Sequence, residues 1–300
     1  MKELIKRHLP GVLNIIKLRG EASHRRFYRV FLDSGTVIAM VYPQGAEEEI
    51  RTVFKMTRLY EEFGIAVPRI LEMPNPRMII LEDLGDLSLQ RQYGRGKSEN
   101  RDRSLTQVAD LLVRITSIPP ARLEKTLDHN RMKAEMDFFL SHFVGDRAIS
   151  GGSRSRLESE LGYLVEKISK HFVSAHRDFH SRNMQVFAGR IYLVDFQDSL
   201  AAPVYYDLVS FAFDSYLDLK NRRTDLFEIL DRSGLPIDYD QLYLTALQRN
   251  IKALGTFGFQ IHRKKNLVYK KYIPRTLNHI LGNPMGQRQI PAVLMFLKSI

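Results

Sequence analysis

A chain of 300 residues that is 44% hydrophobic and 26% charged has the material for a sizeable core, which excludes a disordered or fibrous protein. The absence of cysteine excludes a disulfide framework, a thiolate nucleophile and a cysteine-ligated metal, and apolar runs such as IPAVLMFL are far shorter than the roughly 20 residues that cross a bilayer, so no membrane span is expected. The net charge of +11 is lopsided: residues 241–300 carry ten Lys and Arg and no Asp or Glu, so the rest of the chain is close to neutral and a local positive field is available to phosphate, an acidic metabolite, RNA or an anionic membrane.

Residues 2–18 place Leu4, Ile5, Leu9, Val12, Leu13 and Ile16 mostly at three- and four-residue steps, which predicts a leading helix kinked or divided at Pro10. The segment RRFYRVFLDSGTVIAMVYP then alternates around the turn signal DSG and predicts a β-hairpin of residues 26–32 and 36–42. A helix follows in AEEEIRTVFKMTRLYEEFG, acidic at its start and stopped by Gly64, and VPRILEMPNPRMIILEDLG supplies two short strands. Beyond residue 84 the periodicity becomes helical over 103–118, 130–145, 154–170, 204–218, 222–232 and 238–260, broken by the loop HRDFHSRNM and the strand RIYLVDF. GGSRS at 151–155 reads as a flexible joint between two helices. The expected fold is α+β with two lobes: residues 1–84 form a small antiparallel sheet with helices, and residues 85–300 a mostly helical lobe. The N-terminal MKELIKRHLPGVLNII lacks a small-residue cleavage site, so the cytoplasm is the expected compartment.

His176, Arg177, Asp178 and Asn183 fit the pattern H-R-D-x-x-x-x-N, and Asp195 follows twelve residues later at the end of an apolar strand. Phosphoryl transfer from a nucleotide needs a carboxylate beside the acceptor hydroxyl and oxygen ligands for Mg2+, and Asp178, Asn183 and Asp195 supply those groups. A turn near Ala188–Gly189 would pair MQVF with RIYLV and return Asp195 toward Asn183. Only eleven residues separate Asp195 from Asp207, with no DFG or APE between them, which suits a small acceptor better than a polypeptide.

On these residues the chain resembles the kinase-like small-molecule phosphotransferases, which include aminoglycoside phosphotransferases and choline kinases. Within that group EASHRRFYRV, LEDLGD, HRDFHSRNM, VDFQDSLAAPVYYDLVS and LQRNIKALGTFG are similar to the bacterial N-acetylmuramate/N-acetylglucosamine anomeric kinases. The resemblance implies a two-lobed protein-kinase-like fold, ATP and Mg2+ as cofactors, and transfer to a sugar hydroxyl that feeds cell-wall recycling. It further implies that Asp178 is the catalytic base or hydroxyl-orienting group, that Asn183 and Asp195 ligate the metal, and that Asp207 is a buried brace for the catalytic loop. An aminoglycoside or other small-alcohol kinase, and a non-catalytic nucleotide-binding scaffold, stand as alternatives.

Two departures bear on nucleotide binding. No Gly-rich loop is present; GEASHRRF stands in its place, where Ser23, backbone N–H groups and Arg25 or Arg26 are the expected phosphate contacts. Val41 stands where many kinases carry a phosphate-binding Lys, so Arg25 or Arg26 is the expected substitute. Glu82 lies where a nucleotide base would sit. His176 is expected to be structural; His180 either approaches the acceptor or is an exposed loop histidine; Asp198 either contacts substrate or braces a loop. Arg177 and Arg182 are expected to be solvated or paired with acids, with contact to phosphate as the alternative for either. Arg249 and Lys252, three apart, share a helix face that is either solvated or meets an acidic substituent of the acceptor, such as a lactyl group. HRKKNLVYKK at 262–271 interleaves basic and aromatic residues as RNA-binding segments do, yet no RNA-binding module accompanies it and nucleic acid is not an expected partner.

Overall fold

Leu32 and Gly35 close the first hairpin around Asp33 and Ser34, pairing β2 (Arg26–Leu32) with β3 (Gly35–Val41) in full register. The structure, a computed structural model, describes residues 1–18, 25–95, 98–145, 151–168, 170–219 and 222–300. These residues form two compact units: Met1–Gln92 with Met184–Gln197, and Tyr93–Asn183 with Asp198–Ile300. The division falls at residue 92 where the sequence reading puts it at 84, and the hairpin after the catalytic loop groups with the first unit.

In the first unit, β1 (Val12–Lys17), β2, β3, β4 (Ile70–Asn75) and β5 (Met78–Glu82) form an antiparallel sheet in the order β1-β2-β3-β5-β4. The predicted leading helix is corrected: α1 spans only Lys2–His8, and the rest becomes edge strand β1. Pro10 cannot continue a helix, Gly11 turns the chain at φ +70°, and Ile15 is the one fully buried residue of the strand that follows. Alternation along β3 covers both sheet faces. Ala39 and Val41 join Ile5 of α1 and Leu9 just after it on one side, while Met40 and Tyr42 join Ile50 and Val53 of α2 (Glu47–Glu62) on the other. Gly64, at φ +67°, ends α2 with its N–H on Glu61 O and the Ile65 N–H on Tyr60 O. The later hairpin, Met184–Phe187 (β7) and Arg190–Leu193 (β8), turns through Ala188 and Gly189, both at positive φ. It is tied to its unit by the Val186 N–H on Leu87 O (2.7 Å) and the Leu193 N–H on Ala66 O (2.8 Å).

In the second unit, α4 (Ser98–Ser117), α5 (His129–Phe139), α6 (Gly151–Lys167), α7 (Tyr206–Ala212), α8 (Arg222–Arg232) and α9 (Tyr239–His262) match the predicted helices, although α7 stops well short of residue 218. GGSRS is the opening of α6 rather than a joint. The chain closes with α10 (Ile273–Leu281), α11 (Gly286–Gln289) and α12 (Pro291–Lys298). Helix α9 is buried on nearly all sides and organises the core with Phe139, Phe143, Leu161 and Val293. Gly258 lets the backbone turn after α5 pass against it: an added Cβ would lie 2.4 Å from His142 O. A two-stranded ladder of β6 (Phe172–Ala175) and β9 (Leu200–Pro203), absent from the sequence reading, leads from Ala175 into the loop HRDFHSRNM. No helix among the described residues is long and apolar enough to cross a membrane.

Candidate active site

Two carboxylates hold the loop that opens at His176: Asp214 accepts the Ser181 N–H on Oδ2 (2.9 Å), and Asp207 holds its first residues. Asp207, in the first turn of α7 and 5% exposed, accepts the His176 N–H on Oδ2 (2.5 Å) and the Arg177 N–H on Oδ1 (3.0 Å). Arg177 sits at φ +79°, a sparsely populated conformation for a residue with a side chain, and the two hydrogen bonds fix it there. Burial pushes the Asp207 carboxyl up, the two N–H donors pull it down, and the outcome is about 7. The His176 ring is fully buried, edge-on to Phe179.

Asp178 projects from this loop with 35% of its side chain exposed. Lys252 Nζ lies 3.5 Å and Arg249 Nη2 3.6 Å from its Oδ1, both reaching in from α9. The solvated-face alternative for these two residues is corrected: Arg249 is 8% exposed, donates from Nε to Ser210 Oγ (2.9 Å) and lies over the Tyr206 ring. Burial alone would raise the Asp178 carboxyl, but Lys252 first and Arg249 next outweigh it and hold the group well below the usual carboxylate range. Lys252 is itself lowered, by burial more than Asp178 restores. Asp178 is therefore a carboxylate whose ionised form is favoured by two flanking basic side chains.

Asn183 closes the same loop, its Nδ2 donating to Asp178 O (3.0 Å). His180 is not an exposed histidine: its ring packs edge-to-face on Tyr216 (4.8 Å), and burial lowers its pKa against the pull of Asp214 and Asp178. With Ser210, Asp214, Tyr216, Arg249 and Asn250 it lines a cavity of about 20 Å3, room for one water. Arg182, expected to be solvated or paired with an acid, instead lies over the rings of Tyr216 and Tyr272. Asp198 pairs with Lys125 at 3.4 Å and is half exposed.

In the first unit, Asp195 is at φ +64° with its side chain 49% exposed. Its Oδ1 receives Arg25 Nη2 (3.0 Å) and Gln197 Nε2 (3.0 Å). Arg25 also hydrogen-bonds the hydroxyl of buried Tyr42, whose pKa rises chiefly through burial. Val41 points into the apolar core, so the cation next to Asp195 comes from residue 25. Arg26 is exposed on β2, opposite Val41; Ser23 lies outside the described residues. The Glu82 carboxylate is engaged by Arg69 (3.3 Å). The sequence reading missed Arg29, which spans Asp83 (2.6 and 3.0 Å) and Asp86 (2.9 and 3.0 Å) and so fastens EASHRRFYRV to LEDLGD. The two motifs stood side by side as a resemblance, but charge complementarity between them was the readable signal.

A match to the phosphotransferase enzyme family runs over residues 14–244, most of the chain. The chain belongs to that family. This phosphotransferase is 26% identical over 87% of its length to a protein of Neisseria meningitidis serogroup B named N-acetylmuramate/N-acetylglucosamine kinase, and covers 82% of that protein. In fold it is similar to the ADP-bound aminoglycoside phosphotransferase APH(2'')-Ib, with a TM-score of 0.65, 13% identity and coverage of 92% and 95% of the two chains. It is likewise similar to the spectinomycin phosphotransferase APH(9)-Ia in complex with ADP and spectinomycin, with a TM-score of 0.66, 16% identity and coverage of 90% and 92%. The phosphotransferase is thus a kinase with the two-lobed α+β fold of that group.

Proposed function

We propose that this kinase transfers the γ-phosphoryl group of ATP to the anomeric hydroxyl of an N-acetylated amino sugar, N-acetylmuramate or N-acetylglucosamine, as a cytoplasmic step of cell-wall sugar recycling. The observation that carries this reading is the pair of inward-facing cations on Asp178. An acceptor bearing a carboxylate, as N-acetylmuramate does, gains from Arg249 and Lys252, whereas a polycationic aminoglycoside is repelled by them. The name of the Neisseria relative supports the same acceptor class.

In this reading the acceptor O–H donates to ionised Asp178, which aims the oxygen at the γ-phosphorus. The O–P bond forms as the bond to the β-phosphate oxygen breaks, and the hydroxyl proton departs through the carboxylate. Because Asp178 is a weak base, it serves by orientation, and an anomeric hydroxyl, more acidic than an ordinary alcohol, suits it. Lys252 and Arg249 stabilise negative charge gathering between acceptor and phosphoryl group. The donor set of Asn183 and Asp195, hard amide and carboxylate oxygens, fits a magnesium ion, and these two residues would hold it. When bound, Mg2+ neutralises charge on the nucleotide phosphates. Arg25 supplies the cation that Val41 does not, with Ser23 and Arg26 as further phosphate contacts and the Glu82 backbone toward the base. His180 and Asp198 stand as further acceptor contacts.

The test is turnover of Mg·ATP across N-acetylmuramate, N-acetylglucosamine, aminoglycosides and choline, with the phosphate position read by phosphorus NMR. Phosphorylation at C1 of either amino sugar supports the proposal; turnover confined to aminoglycosides or choline refutes it.

A further inference from the structure

The acid-free end of the chain gathers its charge at one place. Where α9 stops at His262, the chain runs through Arg263, Lys264 and Lys265, then makes a 3-10 turn over Leu267–Tyr272 before α10. His262, Arg263, Lys264, Lys265, Lys270 and Lys271 are all exposed. Between the two basic groups stand Leu267 and Val268, 61% and 58% exposed, an aliphatic pair at the apex with cations before and after it. None of these Lys and Arg residues makes an ion pair among the described residues; Lys264 and Lys271 rest over the rings of Phe259 and Tyr272.

The segment is firmly seated. The Asn266 N–H donates to Gln260 O (2.9 Å), and Tyr269 and Tyr272, 5% and 7% exposed, turn inward onto Phe257. The burial of both tyrosines decides between the anions that a basic patch attracts. Single-stranded nucleic acid is held by cations together with exposed aromatic faces on which bases stack, and here the aromatic faces are spent on the core. What is left outside is the reverse combination, cations around exposed aliphatic side chains. That combination fits an anionic lipid surface, where the basic groups meet headgroup phosphates and the aliphatic pair enters the acyl boundary.

We propose that His262–Lys271 docks this kinase reversibly on membranes rich in anionic phospholipid, independently of which acceptor it phosphorylates. No membrane-spanning element is required. Binding is electrostatic at its base and therefore weakens as salt shortens the range of the field.

The experiment is flotation of the full-length protein with phosphatidylglycerol-containing vesicles and with pure phosphatidylcholine vesicles, at low and high salt. A single-stranded RNA is titrated in parallel. The expected result is binding to the anionic vesicles alone, reversed by salt. Lys264→Glu/Lys265→Glu and, separately, Leu267→Ser/Val268→Ser should each weaken it by about tenfold or more, with kinase turnover in free solution unchanged. Equal binding to both vesicle types, or no retention on either, overturns the proposal. So does loss of binding in the lysine variant but not in the aliphatic variant together with tight RNA binding, which would identify a general polyanion site.

Discussion

Lys252→Met removes one of the two cations on Asp178 at nearly constant volume. A unit charge 3.5 Å from Asp178 Oδ1 is worth about 5 kcal/mol at an effective dielectric constant near 20. With a third of the aspartate side chain open to water, about 2 kcal/mol survives, which raises its pKa by about 1.5 to 2. Lys252 and Arg249 hold the Asp178 carboxyl well below the usual carboxylate range, so on the proposed reading the acid limb of kcat/KM due to this residue should lie below that range as well. Lys252→Met should move that limb upward, toward the ordinary carboxylate range without reaching it because Arg249 remains, and Lys252→Arg, which keeps the charge, should leave it low. The assay is the pH profile of kcat/KM with N-acetylglucosamine, an acceptor without a carboxylate, so that substrate charge does not enter. If Lys252→Met and Lys252→Arg give the native acid limb alike, the cations do not govern Asp178 and the electrostatic account of the site fails.

Asp178→Ala should abolish turnover while nucleotide affinity, measured by calorimetry, changes by no more than a few-fold. Asp207→Asn should cost about 1–3 kcal/mol in urea unfolding, because one of two buried N–H groups loses its acceptor. Since the folded Asp207 pKa is raised from 3.8 to about 7, its contribution to stability is present in acid and lost as pH rises through 7, so the difference between native protein and Asp207→Asn should change over that interval. Gly258→Ala should destabilise by about 1–3 kcal/mol or more, its methyl lying 2.4 Å from His142 O, whereas Gly162→Ala in α6, which meets nothing within 4 Å, should be neutral or stabilising. Arg25→Ala should raise the KM for nucleotide about tenfold, roughly the 1.5–3 kcal/mol of a hydrogen bond to a charged group, with a smaller effect on the acceptor KM.

Much of the architecture was legible because its signals are local. The DSG hairpin, the acid-to-glycine course of α2, the Ala188–Gly189 turn and the H-R-D-x-x-x-x-N loop are each written in a few contiguous residues. Residues 12–17 misled because Val12, Leu13 and Ile16 satisfy a helical spacing as well as an edge strand does, and only pairing with β2 decides between them. The partners of Asp178 were hidden for another reason. Lys252 lies 74 residues away, and its spacing from Arg249 specifies a helix face without saying what that face meets. The missed signal was the mostly apolar composition of α9 between Leu242 and Ile261: a helix wrapped by core carries its few cations inward, where each needs an acid. Likewise Tyr269, which in HRKKNLVYKK reads as a stacking platform, is buried and with Tyr272 anchors the segment.

Asp207, Asp178, Arg249 and Lys252 all belong to one compact unit, so the brace at the start of the loop and the cations on Asp178 are all supplied within it. On the proposed reading, the groups that orient the acceptor hydroxyl are therefore arranged by the folding of that unit alone. An acceptor need not then queue behind nucleotide, so initial-rate patterns with either substrate varied should follow a random order of addition, and isotope trapping should find the acceptor committed from its binary complex.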